Sequence, residues 1–133
     1  APDERVVGEA MMYCPNACDS VIAVGGGVIN DTGKVIASAK NVPDIIVGTA
    51  PSMDGFASYG APIVADGFKF SYSAKSPEVI IGDTKILANA PTALKSAGFG
   101  DMIGKYIALT DWKVAHIITG EAYCKRIADI LGK

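Results

Sequence analysis

Three consecutive glycines lead the residues that could do chemistry. Gly25, Gly26 and Gly27 follow an apolar run and precede a segment with helical spacing, in the sequence VIAVGGGVIND. The first N–H groups of a helix lack intrahelical partners and lie at the positive end of its dipole, so such a turn can bind a pyrophosphate. However, GGGVIND is not a GxGxxG sequence, and one glycine turn is weak evidence. Phosphate binding and a plain strand-to-helix turn both stay open.

A second candidate is the loop at residues 49–58, which is rich in hydroxyl groups. Thr49, Ser52 and Ser58 surround Asp54 in this loop. Hydroxyl groups can bind ribose and phosphate oxygens, while a carboxylate can orient a hydroxylated substrate. The alternative is a turn in which Asp54 accepts a hydrogen bond from its own backbone. The spacing alone does not separate these two interpretations.

Asp101 and His116 are the remaining candidates. Asp101 ends the sequence GFGD, where it is either the N-cap of a helix or a carboxylate ligand for a divalent metal. His116, the single histidine, lies in the helical run WKVAHIITGE and is predicted to pack that helix. A hydrolytic triad has little support, since no GxSxG sequence is present.

The elements that would position these residues alternate between strand and helix. The spacing predicts a helix at 3–13, a strand buried on both faces at 20–24, a helix at 28–39 and a buried strand at 44–47. This order is typical of a parallel βαβ unit, so the predicted class is α/β.

The second half of the chain changes character near Pro91. A hairpin is predicted at 61–73 around Asp66-Gly67, then a buried strand at 78–82 and a helix capped by Asp83. Three helices are predicted beyond it, at 91–97, 101–112 and 113–131. The change from mixed strands and helices to helices alone, near Pro91, is therefore the candidate domain boundary.

Composition restricts the classes of partner. The chain has 133 residues, 50% of them hydrophobic, which is enough for one core. A net charge of −2 gives no field that would attract nucleic acid or an anionic membrane, but a small phosphorylated ligand stays compatible. No apolar run approaches the roughly 20 residues of a membrane span. The N-terminus begins with charges instead of an apolar signal segment, so we expect a cytoplasmic protein.

Taken in order, four segments resemble one family: GGGVIND, TAPSMDGFAS, SPEVIIGDTKIL and APTALKSAGFGDMIGKYIALTDWKVAH. They resemble the glycerol-1-phosphate dehydrogenases, within the superfamily of iron-containing alcohol dehydrogenases, glycerol dehydrogenases and 3-dehydroquinate synthases. The MDGFAS sequence favours the first branch, because glycerol dehydrogenases typically show a TDAP-like sequence there. The resemblance implies a partial Rossmann-like dinucleotide-binding domain at 1–90, followed by the beginning of a helical domain at 91–133. It also implies an enzyme that uses NADH or NADPH to reduce dihydroxyacetone phosphate reversibly to sn-glycerol 1-phosphate, with zinc, nickel or iron as its metal.

The resemblance also assigns roles to individual residues. Asp54 matches a substrate-contacting aspartate, and Asp101 matches the single aspartate that ligates the metal beside the substrate. The cofactor residues that it implies are Gly25, Gly26, Gly27 and Asp31 at the diphosphate turn, and Thr49, Ser52 and Ser58 in the nicotinamide-cofactor loop.

Departures from the family limit what is expected of this chain. Family members are longer, begin with a further strand-helix unit and place two histidine ligands well downstream of GFGD. His116 belongs to the helix sequence and is not one of them. We therefore expect an internal part of a larger enzyme, inactive or nearly so alone, with weak metal affinity and with exposed apolar surface that favours a homo-oligomer. The alternatives are a glycerol dehydrogenase-like enzyme, a nucleotide-binding module without catalysis, and a purely structural α/β piece.

Overall fold

The computed structural model describes residues 1–132 and combines a parallel sheet, a hairpin and five helices. The helices are α1 (Glu4–Tyr13), α2 (Gly27–Lys40), α3 (Thr84–Ala88), α4 (Thr92–Thr119) and α5 (Lys125–Leu131), with a short 3₁₀ helix at Gly55–Ala57. The strands are β1 (Val21–Gly25), β2 (Asp44–Gly48), β3 (Gly60–Ala65), β4 (Phe68–Ser73) and β5 (Val79–Gly82). Within residues 1–132, no helix is both long and apolar enough to cross a membrane.

The three-stranded parallel sheet has the order β1-β2-β5 and confirms the α/β prediction. Val21 pairs with Asp44 and Gly25 with Gly48, so β1 and β2 begin and end at the same level. Helix α2 crosses between these strands, which gives the predicted βαβ unit. The carboxyl ends of both strands therefore open at one edge of the sheet, beside the start of α2.

Close packing between α2 and the sheet explains a glycine in the middle of a helix. A Cβ on Gly33 would lie 2.6 Å from the Cβ of Ala23 in β1, so even alanine would push the helix away from the strand. Ile46 in the central strand is fully buried. The helix also packs Val35 against Ala61 of the hairpin, so α2 joins the sheet to the hairpin.

The prediction that the outer strands are buried on both faces is wrong for this chain. In β1, Ala23 is buried beneath α2, whereas Ile22 and Val24 are 61% and 57% exposed. All four residues of β5, the edge strand beside β2, are exposed. An apolar run is thus compatible with a strand that is covered on one face only.

The hairpin forms at Asp66-Gly67, which joins β3 to β4. Both residues have positive φ angles, 49° and 78°, the backbone that a two-residue hairpin turn requires. Glycine tolerates this conformation without cost and aspartate at modest cost. The turn chemistry alone therefore sufficed to predict the hairpin.

The prediction of three separate helices after Pro91 is also wrong. Helix α4 runs without interruption through GFGD, so Asp101 is not an N-cap. A Cβ on Gly98 would lie 1.8 Å from the carbonyl oxygen of Pro51, which shows that this glycine permits a helix-to-loop contact and is not a helix breaker. The helix ends at Gly120, with φ of 77°, and α5 begins five residues later at Lys125.

Candidate functional site

The glycine turn has one glycine that packing requires and one that faces open space. A Cβ on Gly25 would lie 2.6 Å from the side chain of Ile29, so a side chain there would displace the start of α2. A Cβ on Gly26 would meet only the Oγ of Ser52, at 3.8 Å. Gly26 is the N-cap of α2 and supplies no side-chain cap, so the first N–H groups of the helix are not satisfied by a capping side chain. This is the arrangement that a phosphate would use.

A cavity of about 570 Å³ lies beside this turn and collects most of the predicted site residues. Its volume is that of a small-molecule or cofactor site. The predicted residues that line it are Gly26, Gly27, Asp31, Ser52, Asp54, Ser58 and Asp101. Residues separated by 75 positions in the chain thus meet at the carboxyl edge of the parallel sheet.

Two predicted cofactor residues do not line this cavity. Gly25 is the last residue of β1, and its carbonyl oxygen accepts a hydrogen bond from the N–H of Thr49 at 3.1 Å. Thr49 thus ties the end of one strand to the loop after the next. Both residues shape the turn instead of facing the cavity.

Helix α4 meets the loop through a charged network. The backbone N–H of Asp54 donates to Oδ2 of Asp101 at 2.8 Å, and Nζ of Lys105 lies 2.8 Å from Oδ2 of Asp54. The N–H of Asp54 lowers the pKa of the Asp101 carboxyl, and the hydrogen bond to Asp54 raises the pKa of the Lys105 ammonium. The Asp54 carboxylate therefore pairs with α4 and not with its own backbone, and the Asp101 carboxyl is stabilised as an anion at the cavity.

Lys34 connects α2 to the same loop. Its side chain is fully buried, and Nζ donates to the carbonyl oxygen of Gly55 at 2.7 Å and to Oγ of Ser58 at 3.1 Å. Two buried carboxyls face it, Asp31 and Asp44, whose pKa values are raised by burial against the attraction of the ammonium. Burial lowers the pKa of Lys34 itself.

Sequence reasoning missed the cations of the site. Lys69 lines the cavity from the hairpin, while Lys34 and Lys105 hold the loop from two helices. Lys105 follows Asp101 by four residues, so helical periodicity places the two on one face and could have identified it. Nothing in the local sequence distinguishes Lys34 from a solvent-exposed lysine.

His116 packs the end of α4, as predicted. Its Nδ1 lies 2.6 Å from the carbonyl oxygen of Glu121, and its ring stacks on Tyr123 with centroids 5.7 Å apart. Because a carbonyl oxygen only accepts hydrogen bonds, Nδ1 is the donor in this contact. The histidine thus closes the turn that follows the helix.

The described residues supply one ligand for the metal that the resemblance implies. Asp101 offers a carboxylate at the cavity, but no group of three or more histidine, cysteine, aspartate or glutamate side chains is placed to hold a metal within residues 1–132. Catalytic metal sites use about three protein ligands. These residues therefore do not by themselves fit a complete metal site, whereas the open glycine turn does fit a cofactor phosphate.

The chain is similar in sequence and in fold to known proteins. The chain is 43% identical over 122 residues to a protein named glycerol-1-phosphate dehydrogenase [NAD(P)+] from Geobacillus thermodenitrificans, covering 92% of this chain and 30% of that protein. A glycerol dehydrogenase structure from Schizosaccharomyces pombe matches with a TM-score of 0.68 and 30% identity, covering 79% of this chain and 27% of that one. An iron-containing alcohol dehydrogenase structure from Thermotoga maritima shares the fold, with a TM-score of 0.71 and 16% identity, covering 77% and 34%.

The chain thus spans about a third of the length of the curated relatives it matches. The sequence profile described as iron-containing alcohol dehydrogenase matches residues 3–91, well over half of the chain. The chain therefore belongs to the iron-containing alcohol dehydrogenase family.

Proposed function

We propose that this chain provides the cofactor-binding turn and part of the substrate site of an NAD(P)-linked dehydrogenase that reduces dihydroxyacetone phosphate reversibly to sn-glycerol 1-phosphate. The observation that carries the proposal is the cavity at the uncapped start of α2, where Gly26 leaves room for a phosphate and Asp54 and Asp101 also line the wall. The naming of relatives 37–45% identical as glycerol-1-phosphate dehydrogenases supports it.

The chain's own residues divide the work of binding. When bound, NAD(P)H would supply the hydride for the substrate carbonyl. The N–H groups at the start of α2 bind the diphosphate, Ser52 offers its hydroxyl to the cofactor, and Ser58, whose hydroxyl is bonded within the loop, forms part of the cavity wall. Asp54, held by Lys105 at 2.8 Å, presents its second carboxylate oxygen to a hydroxylated substrate. No protein nucleophile is required for hydride transfer.

Several finer points belong to the same proposal. Asp101 would be this chain's single ligand to zinc, nickel or iron. Residues 1–90 would form part of the dinucleotide-binding domain and 91–133 the beginning of the helical domain. A homo-oligomer, a cytoplasmic location and little or no activity of the isolated chain remain predictions. The expected partner is a small phosphorylated triose or polyol, with neither nucleic acid nor a membrane.

Calorimetric titration of the chain with NADH tests the cofactor turn. We expect Gly26→Ala to weaken binding by at least about tenfold, or ~1.4 kcal/mol, because the added methyl group occupies the phosphate's approach. The thermal transition should change little, since Ser52 Oγ lies 3.8 Å away. Gly8→Ala in α1 is the matched control, because nothing lies within 4 Å of its Cβ position. Equal NADH affinity of the Gly26 variant and the native chain would overturn the assignment.

The runner-up is a glycerol dehydrogenase-like enzyme, favoured by the structural match to that enzyme from Schizosaccharomyces pombe. The two activities differ in whether the substrate carries a phosphate. NADH oxidation should therefore be measured with dihydroxyacetone phosphate and with dihydroxyacetone, each with added zinc or nickel. Turnover of the unphosphorylated substrate alone would favour the runner-up, while NADH binding with no turnover of either substrate would agree with the predicted inactivity or with a non-catalytic module.

A further inference from the structure

Lys34 is an unusual residue to find in the middle of a packed helix. Lysine is almost never fully buried, yet the exposed fraction of Lys34 is 0%. Its ammonium makes two hydrogen bonds, to Gly55 O at 2.7 Å and to Ser58 Oγ at 3.1 Å. Hydrogen bonds from charged donors are about twice as strong as neutral ones. A buried cation is thus joined directly to a loop that is distant in sequence.

The two acceptors are parts of the cavity wall. Gly55 and Ser58 line the cavity together with Gly26 and Gly27 at the start of α2. Ser58 Oγ accepts from the ammonium and can donate its hydrogen to the carbonyl oxygen of Gly60 at 2.8 Å or to that of Gly55 at 2.9 Å. The lysine therefore ties both the carbonyl of Gly55 and the hydroxyl of Ser58 to α2.

We propose that Lys34 is a positioning residue that holds residues 54–58 against α2 and thereby keeps the cavity open in the shape that binds nucleotide. The consequence for binding rests on the proposed function, whereas the restraint of the loop does not. Lys34 itself does not line the cavity, so it acts through Gly55 and Ser58.

A competing explanation is that Lys34 only neutralises a buried carboxylate. Asp44 at the start of β2 is 3% exposed, and neither of its carboxylate oxygens has a hydrogen-bond partner in the described structure. An uncompensated buried charge is costly, so removal of Lys34 would destabilise the fold by this route alone. Asp31 also faces Lys34, but it is 7% exposed and lines the cavity, so Asp44 is the carboxylate that depends most on the lysine. Replacing Asp44 by asparagine removes that charge and separates the two roles.

The test combines hydrogen exchange of residues 54–60 with NADH titration, in the intact chain. The variants are K34M, K34M/D44N and the control K40M, whose lysine lies in the last turn of α2 and donates only to Pro15 O at 3.4 Å. We expect K34M/D44N to recover part of the thermal stability lost in K34M, because Asp31 still loses the nearby ammonium. In the same double variant, hydrogen exchange of residues 54–60 should stay about tenfold faster and NADH binding about tenfold weaker than in the native chain. The reason is that the two hydrogen bonds from the charged ammonium are lost. K40M should match the native chain in both measurements.

Each result decides the inference. Unchanged exchange at 54–60 in K34M/D44N would overturn it and leave Lys34 as a counter-ion of Asp44. Faster exchange with unaltered NADH affinity would overturn the link to binding. If K34M does not fold, the double variant carries the comparison. If the native chain binds no NADH, the proposed cofactor role fails for this chain, while the exchange data still decide whether Lys34 restrains the loop.

Discussion

A methyl group on Gly98 tests directly how α4 meets the loop. An ideal Cβ at this position would lie 1.8 Å from the carbonyl oxygen of Pro51 and 2.9 Å from its carbonyl carbon. Both are backbone atoms, so no side-chain rotation relieves the clash. The helix and the loop would have to separate by ~1.2 Å or more to reach even a short contact.

Two opposing terms set the expected stability of Gly98→Ala. Alanine improves the intrinsic helix propensity by ~1 kcal/mol. Overpacking a closed contact costs ~1–3 kcal/mol. Separating the helix from the loop also stretches the exposed hydrogen bond from Asp54 N–H to Asp101, which contributes ~1 kcal/mol. The clash prevails, and we expect the free energy of unfolding to fall by ~1–3 kcal/mol.

Urea unfolding followed by far-UV circular dichroism measures this change, and α4 contains its own controls. A Cβ added at Gly100 or at Gly104 would have no neighbouring heavy atom within 4 Å. Alanine at either position should therefore raise the free energy of unfolding by ~0.5–1 kcal/mol through helix propensity alone. If Gly98→Ala stabilised the chain as much as these two substitutions, the close contact between α4 and Pro51 would be refuted.

Three further outcomes follow from the described contacts. Burial raises the pKa of the Asp44 carboxyl, so the folded state holds the carboxyl proton more tightly than the unfolded state does. The free energy of unfolding therefore falls as the pH rises through the folded-state pKa of Asp44. Asp44→Asn should raise stability at neutral pH and flatten the pH dependence measured by urea unfolding. Lys105→Met breaks an ion pair with Asp54 whose side chains are a third exposed, so it should cost less than ~1 kcal/mol and even less in ~1 M salt. His116→Ala should lower stability by ~1 kcal/mol through loss of its contacts with Glu121 and Tyr123, seen in thermal unfolding, with NADH affinity unchanged in calorimetry.

The βαβ unit could be predicted because its signals are local. The apolar runs, the glycines and the caps each act within a few residues, and Asp83 accepts from the N–H groups of Lys85 and Ile86 as its position suggested. The cavity could be predicted in part from the order of the strands. The loops at the carboxyl ends of parallel strands meet at one edge, so candidate residues in those loops converge.

The errors concern residues whose role depends on distant partners. Gly98 and Gly100 look like helix breakers locally, but the contact with Pro51 requires the first within a continuous helix. Lys34 resembles an ordinary surface lysine, because its partners lie 21 and 24 residues away. The exposed face of β1 could not be foreseen either, since an apolar run does not show which of its faces is covered.

The loop at residues 51–58 is held from two sides by different interactions. From α2, the buried ammonium of Lys34 binds the carbonyl of Gly55 and the hydroxyl of Ser58. From α4, the carboxylate of Asp101 accepts from the backbone of Asp54, close to the contact at Gly98. A loop restrained only by its ends would sample many shapes and lose entropy on binding, whereas this one is already ordered on both flanks. The cavity lined by the glycine turn and the two aspartates is therefore preorganised by the buried ammonium of Lys34 and by Gly98, where no side chain fits.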